Sequence, residues 1–143
     1  MTRKIDLAAC ATECHCLDAR REARAVSRLY DEQLRPHGLR ATQFSVLVAL
    51  ELGAGAPLGV LADTLGLDRT TFTRSAALMR RKGWITTARS DDGREHRMTL
   101  TAAGRRKLHE GHPAWQRAQR LLEQQRDKGR TAPKTTRLSS PGA

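Results

Sequence analysis

Apolar residues recur at helical spacing through the first part of the chain, from residue 16 to residue 34. They fall every three, four or six to seven residues, at Leu17, Ala23, Val26, Tyr30 and Leu34. Charged side chains occupy most of the opposite face, so the pattern predicts one amphipathic helix. Pro36 and Gly38 follow directly, and a proline and a glycine in this position are expected to end the helix.

Three further helices are predicted before residue 84, and a glycine follows each of them. Thr42 is the predicted N-cap of the first helix, because a hydroxyl can accept a hydrogen bond from the free amides of a first turn. The second helix covers residues 58–65 and ends in a glycine turn. Asp68 is expected to cap the third helix, over residues 69–82, by the same chemistry as Thr42.

The pattern changes from helical spacing to partial alternation after residue 83. Two short β-branched segments, residues 84–88 and 96–100, predict an antiparallel hairpin, with the turn signal Asp92-Gly93 between them. A last helical pattern covers residues 101–125, and Pro113 is expected to divide or kink it. The predicted fold is mainly α with a small β-hairpin. Two short helices across a glycine turn, followed by a hairpin, are typical of a winged helix-turn-helix.

The chain has the length of one domain, but its two ends differ in composition from its middle. We expect an N-terminal arm at residues 1–13 and a folded domain at residues 14–125, with the DNA-binding core at 42–104. Residues 126–143 are rich in Lys, Arg, Thr, Ser, Pro and Gly and supply +4 of the net charge of +11. This basic tail is expected to be disordered, since it has almost no apolar side chains to bury.

The charge balance and the cysteines narrow the class of protein. A net charge of +11 and a pI near 10.9 favour a polyanionic partner such as DNA, RNA or an anionic membrane surface. No apolar run approaches the roughly 20 residues that span a bilayer, and the N-terminus lacks the apolar core of a signal peptide. We therefore expect a cytoplasmic protein with no membrane partner. The three cysteines lie within seven residues, which argues against a disulfide framework.

The predicted helix over residues 69–82 has one apolar stripe and one polar face. Phe72, Ala76 and Met79 lie at i, i+4 and i+7 on the stripe. The first two turns of the rest of the helix carry Arg69, Thr70, Thr71, Thr73 and Arg74. Arginine can form two hydrogen bonds with guanine, and threonine can bind a phosphate or contact a thymine methyl group. This face is therefore the candidate for entering the major groove of DNA.

The hairpin is the second candidate DNA-binding element. It carries Arg89, Arg94 and Arg97, and an arginine in a narrow minor groove meets a concentrated negative potential. Thr42, at the predicted start of an earlier helix, completes the set of predicted DNA-binding residues.

Seven short segments between residues 24 and 104 occur in the order typical of one regulator family. They are Arg28-Leu29-Tyr30-Asp31, Leu39-Arg40-Ala41-Thr42-Gln43-Phe44, Leu61-Ala62-Asp63, Leu67-Asp68-Arg69-Thr70-Thr71-Phe72-Thr73-Arg74, Arg80-Arg81-Lys82-Gly83-Trp84-Ile85, Asp92-Gly93-Arg94 and Leu100-Thr101-Ala102-Ala103-Gly104. Together they resemble the MarR family of winged helix-turn-helix transcriptional regulators. The resemblance covers more than half of the chain.

The resemblance implies a homodimer that binds a pseudo-palindromic, double-stranded DNA operator, usually as a repressor that an effector releases. It implies that the helix matching residues 69–82 enters the major groove and that Arg94 reaches the minor groove. The helices matching residues 17–36 and 101–125 would be dimerisation helices. Because the terminal helix is expected to end near residue 125, a weaker dimer than usual is expected, and the basic tail would add salt-sensitive affinity for DNA.

The cysteines allow three interpretations. Cys16 is predicted at a helix N-terminus, where the helix dipole favours a thiolate, and with Tyr30 it resembles the organic-hydroperoxide-sensing branch of the family. The resemblance is incomplete, because a second tyrosine of that branch falls at Ala41. Cys10, Cys14, His15 and Cys16 also form a cluster whose thiolates suit a soft metal. In the third interpretation the cysteines are inert.

The sequence therefore predicts a homodimeric, sequence-specific DNA-binding regulator without a cofactor. A repressor released by a small-molecule effector, or by thiol modification, is the expected form. The alternative is a winged-helix protein that binds nucleic acid without sequence preference or associates with RNA. An enzyme is not expected, because the sequence has no Cys-His-Asn or Cys-His-Asp constellation at recognisable positions.

Overall fold

The computed structural model describes residues 4–53, 55–89, 91, 93 and 96–131 of the chain. Its elements follow one another as α1 (Leu7–Thr12), α2 (His15–Leu34), a 3₁₀ turn (Arg35–His37), α3 (Ala41–Leu52), α4 (Leu58–Thr64), α5 (Arg69–Arg81), β1 (Ile85–Arg89), β2 (His96–Leu100) and α6 (Ala102–Thr131). The prediction of a mainly α chain with a small β-hairpin is confirmed.

One hydrophobic core joins α2 to α6 and the hairpin. Its fully buried large side chains are Leu34, Leu39, Val46, Leu47, Leu50, Phe72 and Met79. Four of these seven residues lie on α3 or directly before it, because α3 is apolar on most of its circumference and lies at the centre of the domain. A helix that is apolar on nearly all sides is stable only when other elements surround it.

The hairpin is held at one face and at one edge. β1 and β2 pair antiparallel with Ile85 opposite Leu100 and Thr87 opposite Met98, so three buried side chains, Ile85, Met98 and Leu100, point into the core. At the free edge of β2, Pro57 forms an isolated antiparallel bridge with Arg97. The hairpin is therefore fixed to the loop between α3 and α4 as well as to the core.

The junction of the hairpin with α6 depends on Thr101 and a close backbone approach. The Thr101 hydroxyl donates to the Gly83 carbonyl oxygen and accepts the Gly104 N–H at 3.1 Å. The Thr101 N–H donates to the Trp84 carbonyl oxygen at 3.0 Å. Gly104 lies so close to that oxygen that a Cβ atom built on it would overlap it. The start of α6 is thus packed directly on the turn between α5 and β1.

The predicted cap of α3 is wrong. The helix begins at Ala41, one residue before Thr42, with Arg40 as its N-cap residue. The Asp31 carboxylate of α2 accepts the Ala41 N–H at 2.8 Å, and the Gln43 side-chain oxygen accepts the Arg40 N–H at 3.0 Å. These two acceptors bind the amides at and just before the first residue of the helix, so α3 starts upstream of Thr42.

The last helix differs from its prediction in two ways. Pro113 lies inside α6 without dividing it, and buried residues lie on both sides of the proline, at Gly111 and Ala114. α6 continues past residue 125 to Thr131, into the predicted tail. The exposed Arg126, one residue past the predicted end of the helix, pairs with Glu22 of α2 at 3.6 Å. Residues 132–143 of the predicted tail lie outside the described residues.

The first helix differs from the others because none of its residues is buried. α1 covers Leu7–Thr12 within the predicted arm, and the Asp6 carboxylate caps it by accepting the Ala9 N–H at 3.0 Å. Across the described part of the chain, no helix has the length and the apolar character needed to cross a membrane.

Candidate nucleic-acid interface

α5 has the two-sided character that the sequence predicts. Phe72, Ala76 and Met79 are buried against the core. Arg69, Thr70, Thr71, Thr73 and Arg74 are all exposed in the first two turns. The buried stripe fixes the helix, so the exposed face is presented by a rigid element rather than by a loop.

Asp68 fixes the start of α5, as predicted. Its carboxylate accepts the Thr71 N–H at 2.8 Å and the Thr71 hydroxyl at 2.6 Å. The hydrogen bond from the Thr71 hydroxyl, followed by the bond from the Thr71 N–H, lowers the pKa of Asp68 below its ordinary value. Hydrogen bonds to a carboxylate stabilise its charged form.

Asp68→Ala should lower the melting temperature, because the first turn of α5 loses its acceptor. Asp68→Asn is the matched control, since an amide oxygen can still cap the helix. Because the pKa is lower in the folded state, the stabilisation is complete above the ordinary pKa of 3.8 and is lost as pH falls through the lower folded value. Thermal unfolding between pH 7 and pH 2.5 measures this. A difference between wild type and Asp68→Ala that does not shrink in acid would contradict it.

The threonines of the exposed face are not equivalent. The Thr71 hydroxyl is bound to Asp68, and the Thr73 hydroxyl donates to the Arg69 carbonyl oxygen at 2.8 Å. Both hydroxyl protons are therefore engaged within α5, which leaves methyl groups and acceptor lone pairs for a ligand. The exposed Thr70 and Arg74 are better placed to donate to it.

Arg69 and Arg97 each lie beside a glycine of the neighbouring segment. A Cβ atom built on Gly59 of α4 would be 3.2 Å from a guanidinium nitrogen of Arg69. One built on Gly55 would be 3.8 Å from a guanidinium nitrogen of Arg97. The small residues at 55 and 59 leave room for the two arginine side chains against the α3–α4 loop and the start of α4.

The structure brings the hairpin next to α5 but separates its arginines. Arg89 and Arg97 are both exposed. They occupy adjacent pairs of the ladder, Arg89 with His96 and Arg97 with Ala88, so they lie on opposite faces of the hairpin. Arg94 lies outside the described residues. Thr42 is half-buried in the first turn of α3.

Comparisons with known proteins agree with this geometry. A family model described as MarR family matches residues 37–95. The transcriptional regulator MosR of M. tuberculosis, solved in complex with DNA, is 39% identical, with 76% of this chain and 80% of MosR covered and a TM-score of 0.70. The chain belongs to the MarR family.

Two other matches define how far the likeness extends. An uncharacterized HTH-type transcriptional regulator of Bacillus subtilis (strain 168), YwoH, is 30% identical over 88 residues, which is 62% of this chain and 64% of YwoH. The match thus covers less than two thirds of that relative. PcaV of Streptomyces coelicolor, at 24% identity and a TM-score of 0.69, with 85% of this chain and 83% of PcaV covered, shares the fold.

Membership of the MarR family decides the general class of this protein. It has a winged helix-turn-helix, in which α4 and α5 are the two helices and the β1–β2 hairpin is the wing. It is a DNA-binding transcriptional regulator and not an enzyme.

The three cysteines of this MarR protein are free thiols. Cys10 is exposed on α1, Cys14 is the N-cap residue of α2 and Cys16 is exposed in its first turn. Among the described residues, no three His, Cys, Asp or Glu side chains are grouped so that they could hold a metal ion. The predicted alternative of a metal site at Cys10, Cys14, His15 and Cys16 is therefore not supported.

Tyr30 contacts the last helix rather than Cys16. Its hydroxyl donates to the side-chain oxygen of Gln119 on α6. Burial, and then the carboxylate of Glu123, raise the pKa of Tyr30 above its ordinary value, so the phenol stays protonated as a donor. Cys16 and Tyr30 both lie on α2, fourteen residues and about 21 Å apart along the helix. Within one chain they do not meet.

Two cavities, neither of them predicted from the sequence, form where the helices pack together. The larger is an open apolar groove of about 670 Å³ between α3, the end of α4 and α6. Phe44, Val48, Leu52, Leu108 and Trp115 line it, with His109 and His112 on its α6 side. The smaller, of about 280 Å³, lies between the ends of α2 and α5 and the start of α3. Gln43, the buried polar residue of α3, lies in the wall of the smaller cavity.

Proposed function

We propose that this MarR protein is a homodimeric repressor that binds a pseudo-palindromic operator and is released by an effector or by modification of a thiol. The observation that carries the proposal is the exposed face of α5, which is basic, rich in threonine and fixed by a buried stripe beside the wing. The relative MosR, whose structure is described in complex with DNA, supports it. Because a repressor acts on the chromosome, the proposal includes the cytoplasm as its location.

The proposed contacts divide by the part of DNA that they reach. Arg69, Thr70, Thr71, Thr73 and Arg74 would lie in the major groove. Arg89, Arg94 and Arg97 would lie along the backbone and in the minor groove, and Thr42 would contact a phosphate. A planar guanidinium matches the two acceptors of guanine, so Arg74 and Arg69 are the candidates for base recognition. Phosphate contacts would set the position of the protein without specifying sequence.

The proposed dimer uses α2 and α6. These helices pack on one another through Tyr30 and Gln119, and Glu22 pairs with Arg126 further along. Their half-exposed apolar side chains are Leu17, Val26, Leu29, Leu121 and Leu122. A second copy would remove these side chains from water, which is the main driving force for association. In this division, residues 14–125 form the DNA-binding and dimerisation unit, preceded by an arm at 1–13.

Two features support the proposed release. The groove lined by Phe44, Val48 and Trp115 has the size and apolar lining of a small-molecule site, for which 300–1,000 Å³ is typical. It touches α3 and α6, so a ligand there would change how the DNA-binding part sits on the dimerisation helices. Cys16 is exposed near the N-terminus of α2, where a thiol can be reached by an oxidant. Its partner Tyr30 would then belong to the second copy.

A mobility-shift experiment with DNA from upstream of the chain's own gene tests the proposal. We expect binding at least about 10³-fold tighter than to random duplex, which is the low end for specific recognition. Adding a phenolic acid, a hydroperoxide or a thiophilic metal should weaken the binding in one of the three arms. Cys16→Ser separates the routes, because it should abolish only a response to oxidant. Equal affinity for the upstream DNA and the random duplex would contradict the proposal of a specific operator.

A further inference from the structure

Gly59, in the first turn of α4, does not have to be a glycine for the sake of the fold. Its φ lies outside the left-handed region, unlike that of Gly55 in the loop before it. Beyond its own helix and its chain neighbours, no described residue places a backbone atom within 4 Å of a Cβ built on it, whereas Gly104 meets the Trp84 carbonyl group. Alanine normally stabilises a protein at such a position, because it restricts the unfolded chain. The missing side chain therefore serves something other than the backbone.

The atom that limits position 59 is a guanidinium nitrogen of Arg69. It would lie 3.2 Å from the added Cβ, and no other described residue beyond the helix itself comes within 4 Å. Nonbonded contacts are most favourable at about 3.5–4.0 Å, so a methyl group would push the guanidinium away and a longer side chain would displace it fully. The side chain of Arg69 thus occupies the volume that a side chain at position 59 would take.

No polar partner holds the Arg69 side chain in this place. Within the described part of the chain, no hydrogen bond or ion pair engages its guanidinium, and the side chain is exposed. Its N–H donors are therefore free for a ligand. The space above Gly59 is what sets the orientation of the side chain, and a side chain that is oriented before binding loses less entropy when it binds.

The position of this guanidinium joins the two helices of the motif. Arg69 is the first residue of α5, and the end of its side chain lies over the first turn of α4. In a helix-turn-helix the first helix crosses the DNA backbone and the second lies in the major groove. A guanidinium that lies across both helices is therefore at the edge of the groove, within reach of phosphate oxygens and of the acceptors of an outer base.

We propose that Gly59 is a positioning residue for DNA binding, because its missing side chain lets the Arg69 guanidinium lie across α4 and meet acceptor atoms of the DNA. The inference rests on the proposed function for the place of Arg69 in the DNA interface. Two sources supply such acceptors, a backbone phosphate and a guanine edge. A side chain at position 59 would turn Arg69 away without changing its charge, so DNA binding would fall while the fold stays intact.

A double-mutant cycle of Gly59→Leu and Arg69→Ala tests the inference, with affinity measured for DNA from upstream of the chain's own gene and for a random duplex. We expect Gly59→Leu to weaken binding by about fivefold or more, the low end for one arginine contact. In the Arg69→Ala background the same change should cost less than about twofold, since the contact is already absent. Gly59→Ala should give a smaller loss, because the end of a flexible side chain can move by the few tenths of an ångström required.

The melting temperature separates positioning from damage to the fold. Gly59→Ala should raise it by about 1–4 °C while it weakens DNA binding. Gly129→Ala is the matched control, since no atom of the described residues lies within 4 Å of its added Cβ. The control should raise the melting temperature and leave the affinity unchanged. Gly59→Ala carries the test if Gly59→Leu lowers the melting temperature.

The two duplexes identify the atoms that Arg69 contacts. A loss for both duplexes, with a slope of affinity against salt concentration lower by about 1, assigns a phosphate, and a loss for the upstream DNA alone assigns a base edge. An equal loss from Gly59→Leu in both backgrounds would mean that the added side chain obstructs DNA directly, and it would overturn the inference. Wild-type affinity of Gly59→Leu beside a weakened Arg69→Ala would also overturn it. If Arg69→Ala itself binds both duplexes as wild type does, the proposed DNA contact of Arg69 is wrong, and the inference is wrong with it.

Discussion

Gly104→Ala is expected to destabilise the protein by about 1–3 kcal/mol, or more if the chain cannot adjust, which is typical of overpacking. A Cβ atom at this position would overlap the Trp84 carbonyl oxygen and approach a Leu100 methyl group at 3.3 Å. The obstacle is backbone, which is itself fixed by the Thr101 N–H, so it cannot rotate away. Alanine gains about 0.5–1 kcal/mol over glycine from helix propensity, which is too little to offset the overlap.

Gly129→Ala provides the matched control on the same helix. Gly129 has no atom within 4 Å of its added Cβ, so the same substitution should raise stability by its helix propensity alone. Thermal and urea unfolding of both variants should therefore give changes of opposite sign. If Gly104→Ala were as stable as wild type, α6 would not approach Trp84 in the way described, and the wing would be held differently.

Arg74→Ala is expected to weaken operator binding by about 5- to 150-fold, equivalent to the 1–3 kcal/mol of one bidentate base contact. The side chain is exposed on the fixed face of α5, so the melting temperature should not change. Loss of a base contact should also relax the preference at one position of each half-site. Titration of a set of duplexes with single base changes, at one stated salt concentration, measures both effects.

Arg117→Ala separates base recognition from general charge. It removes an equal charge from an exposed position on a different helix, α6. We expect only a small, sequence-independent loss for this variant. Equal losses for Arg74→Ala and Arg117→Ala, with no change in base preference, would mean that Arg74 acts through charge alone. No loss for either would exclude Arg74 from the interface.

The local sequence pattern was sufficient to predict the features that depend on contacts within one element. The spacing of Phe72, Ala76 and Met79 predicts the buried stripe of α5, and Asp68 at its start predicts the cap that the structure contains. The hairpin was predicted from β-branched residues and Asp92-Gly93, and β1 and β2 lie within one residue of the predicted segments. These features depend on contacts between residues a few positions apart.

The local sequence pattern failed to predict the features that depend on residues far apart in the chain. Thr42 was expected to cap α3, but the helix begins one residue before it, where Asp31 of α2 accepts the Ala41 N–H. Pro113 was expected to divide or kink α6, but the helix continues through it, with Ala114 and Ala118 buried after it. The composition after residue 125 predicted disorder. The structure instead continues α6 for six residues beyond that position, to Thr131. Nothing in the spacing along the chain reveals these long-range partners.

The sequence by itself determined that this protein is a winged helix-turn-helix with a basic, threonine-rich face on α5, because amphipathic periodicity and turn residues act locally. Tertiary structure alone decided how the wing is held beside that face, through the close approach of Gly104 to Trp84 and the bridge between Pro57 and Arg97. It also decided the apolar groove and the cleft around Gln43, whose walls come from residues up to 71 positions apart. Such cavities exist only after the helices pack, and their lining is set by distances that the order of residues does not contain.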